Sequence, residues 1–197
     1  MAKYEDIRGD IKTGDVILFS GKGTISNGIK LFTSSKWSHV GMVLKLPDSK
    51  ANFLWESTTL SNLKDAISGT VKNGVQLVLL RDRLRTYDGE KSIRHLSYSI
   101  TADEYYRLMG FREKMRGRPY ETNRLELIKS AYDGPFGHNE EDLSSLFCSE
   151  LVAEAYQEIG LLDNNKPSNE YTPKDFSDVC KLNLLRGSLG KEIKLEV

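Results

Sequence analysis

The chain has 197 residues, enough for one domain whose core needs neither a disulfide framework nor a structural metal. Its 28 lysines and arginines balance 28 aspartates and glutamates, which argues against the net basic charge of a nucleic-acid-binding protein or a polybasic membrane anchor. The start of the chain, Met1 to Asp10, carries acidic residues and no apolar h-region, and no apolar run approaches the roughly 18 residues of a membrane-spanning helix. A cytoplasmic protein is expected, in which the two cysteines, Cys148 and Cys180, are free thiols.

No repeat, low-complexity tract or linker divides the sequence, so residues 1–197 read as a single domain. Thr13-Gly14-Asp15 is a turn feeding a short buried strand, Val16 to Phe19, which Gly21-Lys22-Gly23 breaks. Thr24 is placed to cap a short helix carrying Ile25, Ile29, Leu31 and Phe32. Ser38 to Leu44 alternates as a strand, with His39, Gly41 and Val43 on one face and Val40, Met42 and Leu44 on the other. Pro47-Asp48-Ser49 turns the chain, and Phe53 to Ser57 returns as the second strand of a hairpin, which brings Glu56 beside His39.

Two further strands are expected over 74–80 and 93–98. Thr101 and Glu104 form a capping-box pattern that opens a helix running to Gly117. Arg118-Pro119-Tyr120 is extended, and Asn123 caps a short helix through Leu125, Leu127 and Ile128. Ser144 or Ser145 then offers a cap for a helix holding Leu146, Phe147, Leu151, Val152, Ala155 and Ile159, ended by Gly160. Thr172-Pro173 resembles a cap and first helical position, and the tail residues Leu182, Leu184, Ile193 and Leu195 suit edge strands.

This reading puts Cys148 near a helix N-terminus, where amide donors and the helix dipole favour the reactive thiolate. On its own such a cysteine fits a packed core better than catalysis, so a partner decides. Of three histidines, His39 begins a rigid strand; His138 lies in a polar, glycine-containing loop, and His95 sits beside Arg94 in a position that suits a satisfied surface residue. A cysteine–histidine pair also needs a polar group to fix the imidazole, and Glu56 fits that place by the hairpin geometry. A metal site built from Cys148, His39 and a carboxylate has no close-spaced Cys/His pair to support it, and no cofactor is expected.

Taken together, three regions resemble the circularly permuted papain-like branch of the NlpC-type amidase and peptidase superfamily. They are Gly14 to Phe19 with Gly21-Lys22-Gly23 followed by Trp37-Ser38-His39-Val40-Gly41-Met42-Val43, then Gly117-Arg118-Pro119-Tyr120, then Phe147-Cys148-Ser149-Glu150-Leu151-Val152. The order is the distinctive part: histidine, then a polar third residue, then cysteine, as His39, Glu56 and Cys148 stand here. The resemblance implies an α+β fold with a central antiparallel sheet packed against helices and the nucleophile at a helix N-terminus. It also implies a cysteine-dependent hydrolase that cleaves an amide or ester through an acyl-enzyme held by the Cys148 amide and a neighbouring donor. Tyr120 matches the tyrosine of the family's Gly-x-Pro-Tyr segment, and Tyr120 and Ser38 are candidates for substrate or oxyanion contacts.

The substrate expected is a small peptide, an amide or an acyl or lipid ester, since permuted relatives that include the lecithin retinol acyltransferase group act on acyl substrates. The apolar residues of the first helix offer a surface for an acyl chain or a membrane, or simply core. A catalytically silent ligand-binding domain is the alternative of a different class.

Overall fold

The computed structural model describes residues 1–22, 35–116 and 140–197, with 140–146 described by their backbone alone. The expected helix from Thr24, the extended Arg118-Pro119-Tyr120, the helix from Asn123 and His138 all lie outside the described residues.

Among the described residues the strands are β1 (Ala2–Lys3), β2 (Val16–Gly21), β3 (His39–Lys45), β4 (Asn52–Thr58), β5 (Gly74–Leu79), β6 (Gly89–Arg94) and β7 (Ile193–Glu196). They form one sheet in the order β1-β7-β6-β2-β3-β4-β5, antiparallel except where β1 runs parallel to β7. The α-helices are α1 (Tyr4–Ile7), α2 (Leu80–Thr86), α3 (Ala102–Met115) and α4 (Glu140–Glu158).

Both faces of the sheet are covered, which is why β2 and β4 are buried along their whole lengths. The alternation read in β3 sorts its residues between two apolar layers. Val40, Met42 and Leu44, with Val16, Leu18 and Trp55, pack on Leu108 and Phe111 of α3 and on Leu151, Val152, Ala155 and Tyr156 of α4. Val43, with Ile17, Phe19, Leu54 and Val78, packs on Leu80 and Leu84 of α2 and on Tyr4 and Ile11 near the N-terminus.

The capping box is present: Thr101 Oγ1 accepts the Glu104 amide, and Glu104 Oε2 accepts the Thr101 amide at 2.8 Å. Three expectations change. The strand sought at 93–98 lies earlier, at Gly89–Arg94, because Asp15 ends it: its Oδ1 takes the Leu96 amide at 2.9 Å and its Oδ2 meets His95 Nδ1 at 2.7 Å. Residues 172–176 close a turn rather than a helix, since Asp175 Oδ2 accepts both the amide and the hydroxyl of Thr172 while the Asp175 amide returns to the Thr172 carbonyl. Leu182 and Leu184 lie outside any strand and pack on the core, whereas Ile193 and Leu195 do form β7.

The expected start of the cysteine helix changes too. Helix α4 begins at Glu140, so Ser144 and Ser145 are interior positions and not caps. Serine loses only a few tenths of a kcal/mol to a good helix former inside a helix, too little to stop one that tertiary contacts hold.

Candidate active site

His39 is the first residue of β3 and pairs across the ladder with Phe19 of β2. Its ring lies 5.4 Å from the Phe19 ring and is stacked 6.4 Å from Tyr87, so packing on two sides limits its rotation. The chain enters β3 through Trp37, whose indole donates to Glu192 Oε1 at 2.8 Å. Ser38 then brackets the end of β2: its hydroxyl accepts the Gly21 amide at 3.2 Å and donates to the Phe19 carbonyl at 3.4 Å. This engagement makes Ser38 part of the strand connection.

Met42 of β3 pairs with Trp55 of β4, a register that turns Glu56 to the same face of the sheet as His39. His39 Nε2 and Glu56 Oε2 are 2.7 Å apart, with His39 7% and Glu56 0% exposed. The other carboxylate oxygen is also occupied. Glu56 Oε1 accepts from Gln76 Nε2 of β5 at 3.1 Å and from Arg83 Nε of α2 at 2.8 Å. Arg83 Nη2 lies 2.7 Å from the same oxygen without hydrogen-bond geometry, an ionic contact, and Nη1 donates to Asn62 Oδ1 at 2.8 Å.

Cys148 is fully buried in the layer between sheet and α4, and its side chain hydrogen-bonds His39. With Nε2 given to Glu56, Nδ1 is the ring nitrogen left to face the sulfur. The position within α4 corrects one expectation. Counted from Glu140, Cys148 is the ninth helical residue, beyond the first turn whose amides are unpaired and where the dipole acts. Any stabilisation of a thiolate here comes from His39 and not from a helix end, and the Cys148 amide belongs to the helical ladder.

The electrostatics run along the chain of contacts. Burial alone would lower the His39 pKa, but the charge of Cys148 and the hydrogen bond to it, followed by Glu56, raise it to about 9. Burial would raise the Glu56 pKa, yet the hydrogen bond from His39 and the charge of Arg83 hold it below the usual carboxylate range. Cysteine, histidine, glutamate and arginine thus stand in one buried line of contacts. Sequence reading had missed Arg83 and Gln76. Leu80, Arg83 and Leu84 share the buried side of α2 at helical spacing, but Arg81, Asp82 and Arg85 around them make the segment look solvent-facing.

His95 faces Asp15 on another part of the sheet and does not join this group. Tyr120 lies outside the described residues, as does His138. Among the described residues no group of three His, Cys, Asp or Glu side chains is arranged to hold a metal ion.

A histidine from a sheet strand and a cysteine from a helix packed on that sheet, with the histidine first in the chain, define an α+β protein of permuted papain-like type. The sequence itself agrees: the chain belongs to the permuted papain-like amidase family, YaeF/YiiX, C92, whose sequence model matches residues 10–171. An uncharacterized protein of Acanthamoeba polyphaga mimivirus is 29% identical over 218 residues, an alignment that spans 96% of this chain and 85% of the viral one. A crystal structure of the metalloprotein YiiX from Escherichia coli O157:H7 superposes with a TM-score of 0.49 at 22% identity, covering 75% of this chain and 66% of that one.

Proposed function

We propose that the protein is a cysteine-dependent hydrolase that cleaves an amide or ester bond through an acyl-enzyme on Cys148. The observation that carries this reading is the buried line Cys148–His39–Glu56, in which one imidazole bonds the thiol on one side and an ionised carboxylate on the other. Membership of an amidase family supports the same reaction class.

In the reaction the proton of the Cys148 thiol lies on His39 Nδ1, and the thiolate so formed attacks the substrate carbonyl carbon to form a C–S bond. His39 then gives that proton to the departing amine or alcohol as its bond to carbon breaks. Water, deprotonated by His39, attacks the thioester, and the acid leaves as the proton returns to Cys148. Glu56 accepts Nε2–H throughout and stabilises the imidazolium without taking its proton. The Cys148 amide is committed to the helix, so the oxyanion is held by another donor. A small peptide, amide or acyl ester is the substrate class, and the cytoplasm the compartment, that we assign. No helix among the described residues is long and apolar enough to cross a membrane.

The test is acyl trapping. Wild type and Cys148→Ala are incubated with panels of amides, peptides and lipid esters, and the intact protein is weighed. A mass increase equal to the acyl group in wild type, absent in Cys148→Ala, is expected for one panel. No adduct from any panel, with Cys148 no more reactive than Cys180 toward an alkylating agent, would favour a silent ligand-binding domain.

A further inference from the structure

Arg83 takes no part in the proton transfers of the reaction, yet it is wholly buried and turns two of its three guanidinium nitrogens to Glu56 Oε1. Two features of its geometry matter. First, Arg83 Nε and Gln76 Nε2 both occupy Glu56 Oε1, so the carboxylate cannot rotate without breaking them, and Oε2 stays aimed at His39. Second, among the described residues the groups that touch Glu56 and His39 are Gln76 from β5, Phe19 from β2, Tyr87 after α2, Cys148 from α4, and Arg83, whose Nη1 is held in turn by Asn62 of the loop before β5. Arg83 is the permanent cation among these five.

That cation matters because of what the reactive form requires. Thiolate, imidazolium and carboxylate together carry one net negative charge on buried side chains, and an uncompensated buried charge is strongly disfavoured. A guanidinium, always protonated, brings the set to neutrality. Resting on the hydrolase reading above, we propose that Arg83 is a positioning residue of this site. It is the buried counter-charge that lets Cys148, His39 and Glu56 be ionised together, and it fixes the carboxylate that orients His39.

Charge balance makes a prediction that a purely structural arginine does not. Arg83→Met leaves the ionised triad with its unbalanced negative charge, so the thiolate forms only at higher pH. Adding Glu56→Gln to Arg83→Met removes the stranded carboxylate, and the remaining thiolate–imidazolium pair is neutral again. The experiment titrates the ultraviolet thiolate absorbance of Cys148 in a Cys180→Ser background, alongside its alkylation rate with iodoacetamide, in wild type, Arg83→Lys, Arg83→Met and the Arg83→Met/Glu56→Gln double variant.

Expected for Arg83→Met is a thiolate midpoint raised by about one pH unit or more, with alkylation at pH below it slowed about tenfold. The double variant moves back toward the wild-type midpoint, and Arg83→Lys, which keeps the charge, stays within about half of the Arg83→Met shift. An unchanged midpoint in folded Arg83→Met, or a double variant displaced further in the same direction, overturns the proposal. If Arg83→Met does not fold, the double variant and Arg83→Lys decide it: wild-type-like midpoints in both support charge balance, and raised midpoints in both refute it. Loss of the hydrolase reading is told apart from this, because it shows in wild type itself as a Cys148 that takes up no acyl group from any of the substrate panels.

Discussion

His39 Nε2 and Glu56 Oε2 meet at 2.7 Å across neighbouring strands, and the carboxylate is closed off from solvent. In that setting the glutamate makes the choice of ring orientation: with Nε2–H held by Glu56, Nδ1 is turned to Cys148 and carries the proton that the thiol gives up. Glu56→Gln keeps the shape but no longer enforces that choice. It is expected to slow Cys148 acylation by about 10²-fold or more, read in single-turnover acyl trapping. Glu56→Ala also strands the Arg83 cation, and a loss of about 3–5 kcal/mol in unfolding free energy is expected by chemical denaturation.

The raised pKa of His39 makes stability depend on pH in a defined window. The folded protein holds this proton to about 9 against an ordinary value of 6.5, so it gains stability while the proton is bound. The gain is complete below the unfolded value and disappears as pH rises through the folded one. Urea midpoints are therefore expected to fall between pH 6.5 and about 9, by on the order of 3 kcal/mol in unfolding free energy if His39 acts alone. His39→Gln flattens that limb. Glu56, whose pKa is depressed, contributes at the opposite end, with stability lost as pH falls into the acid range.

What the sequence revealed depended on whether a residue's partners were local. Strict alternation over 38–44 places His39 and Met42 on opposite faces without any tertiary information, and one hairpin then carries Glu56 to His39. Arg83 needed the sheet to be assembled first, because its burial follows from α2 lying across β4 and β5 and not from its own charged surroundings. Strand β6 was misplaced for a related reason. Its Gly89-Glu90-Lys91-Ser92 start has little strand propensity and is held by pairing with β2 on one side and β7 on the other. The serines at 144 and 145 look like caps in isolation, and nothing local distinguishes them from interior serines of a longer helix.

Gly41 follows His39 by two residues on the same face, where the neighbouring strand approaches it closely. A methyl group there would stand 2.8 Å from Leu54 Cδ1 and 3.2 Å from the Trp55 carbonyl, inside the layer that packs on α2. Relief requires Leu54 to shift or β3 to lift from β4, which is the strand pair that sets the His39–Glu56 distance. Gly41→Ala is expected to destabilise by about 1–3 kcal/mol and to lower acylation more than the stability loss explains. Thermal melts paired with acylation rates measured well below the melting temperature separate the two effects.

Asp65 holds the loop that reaches Arg83 from outside the sheet. It is almost fully buried, and its carboxylate accepts the amides of Ile67, Ser68 and Leu77, at 3.1, 2.8 and 2.9 Å, as well as Lys72 Nζ at 3.2 Å. Burial pushes its pKa up, but the Leu77 and Ser68 amides and Lys72 outweigh that and bring it down to about 2. A depressed carboxylate contributes stability above its unfolded pKa and loses it as pH falls through the folded one, so this anchor should persist to about pH 2. The loop also carries Asn62, which caps Arg83 Nη1 at 2.8 Å. Asp65→Ala removes the acceptor for three amides, one of them in β5, and is expected to cost about 1–3 kcal/mol. Hydrogen exchange should speed up at Ser68 and Leu77 while β2 and β3 stay protected. Because Arg83 keeps both Glu56 and its place on α2, Cys148 alkylation in Asp65→Ala should fall by less than in Arg83→Met; an equal fall would mean that the loop, and not the guanidinium, holds Glu56 in place.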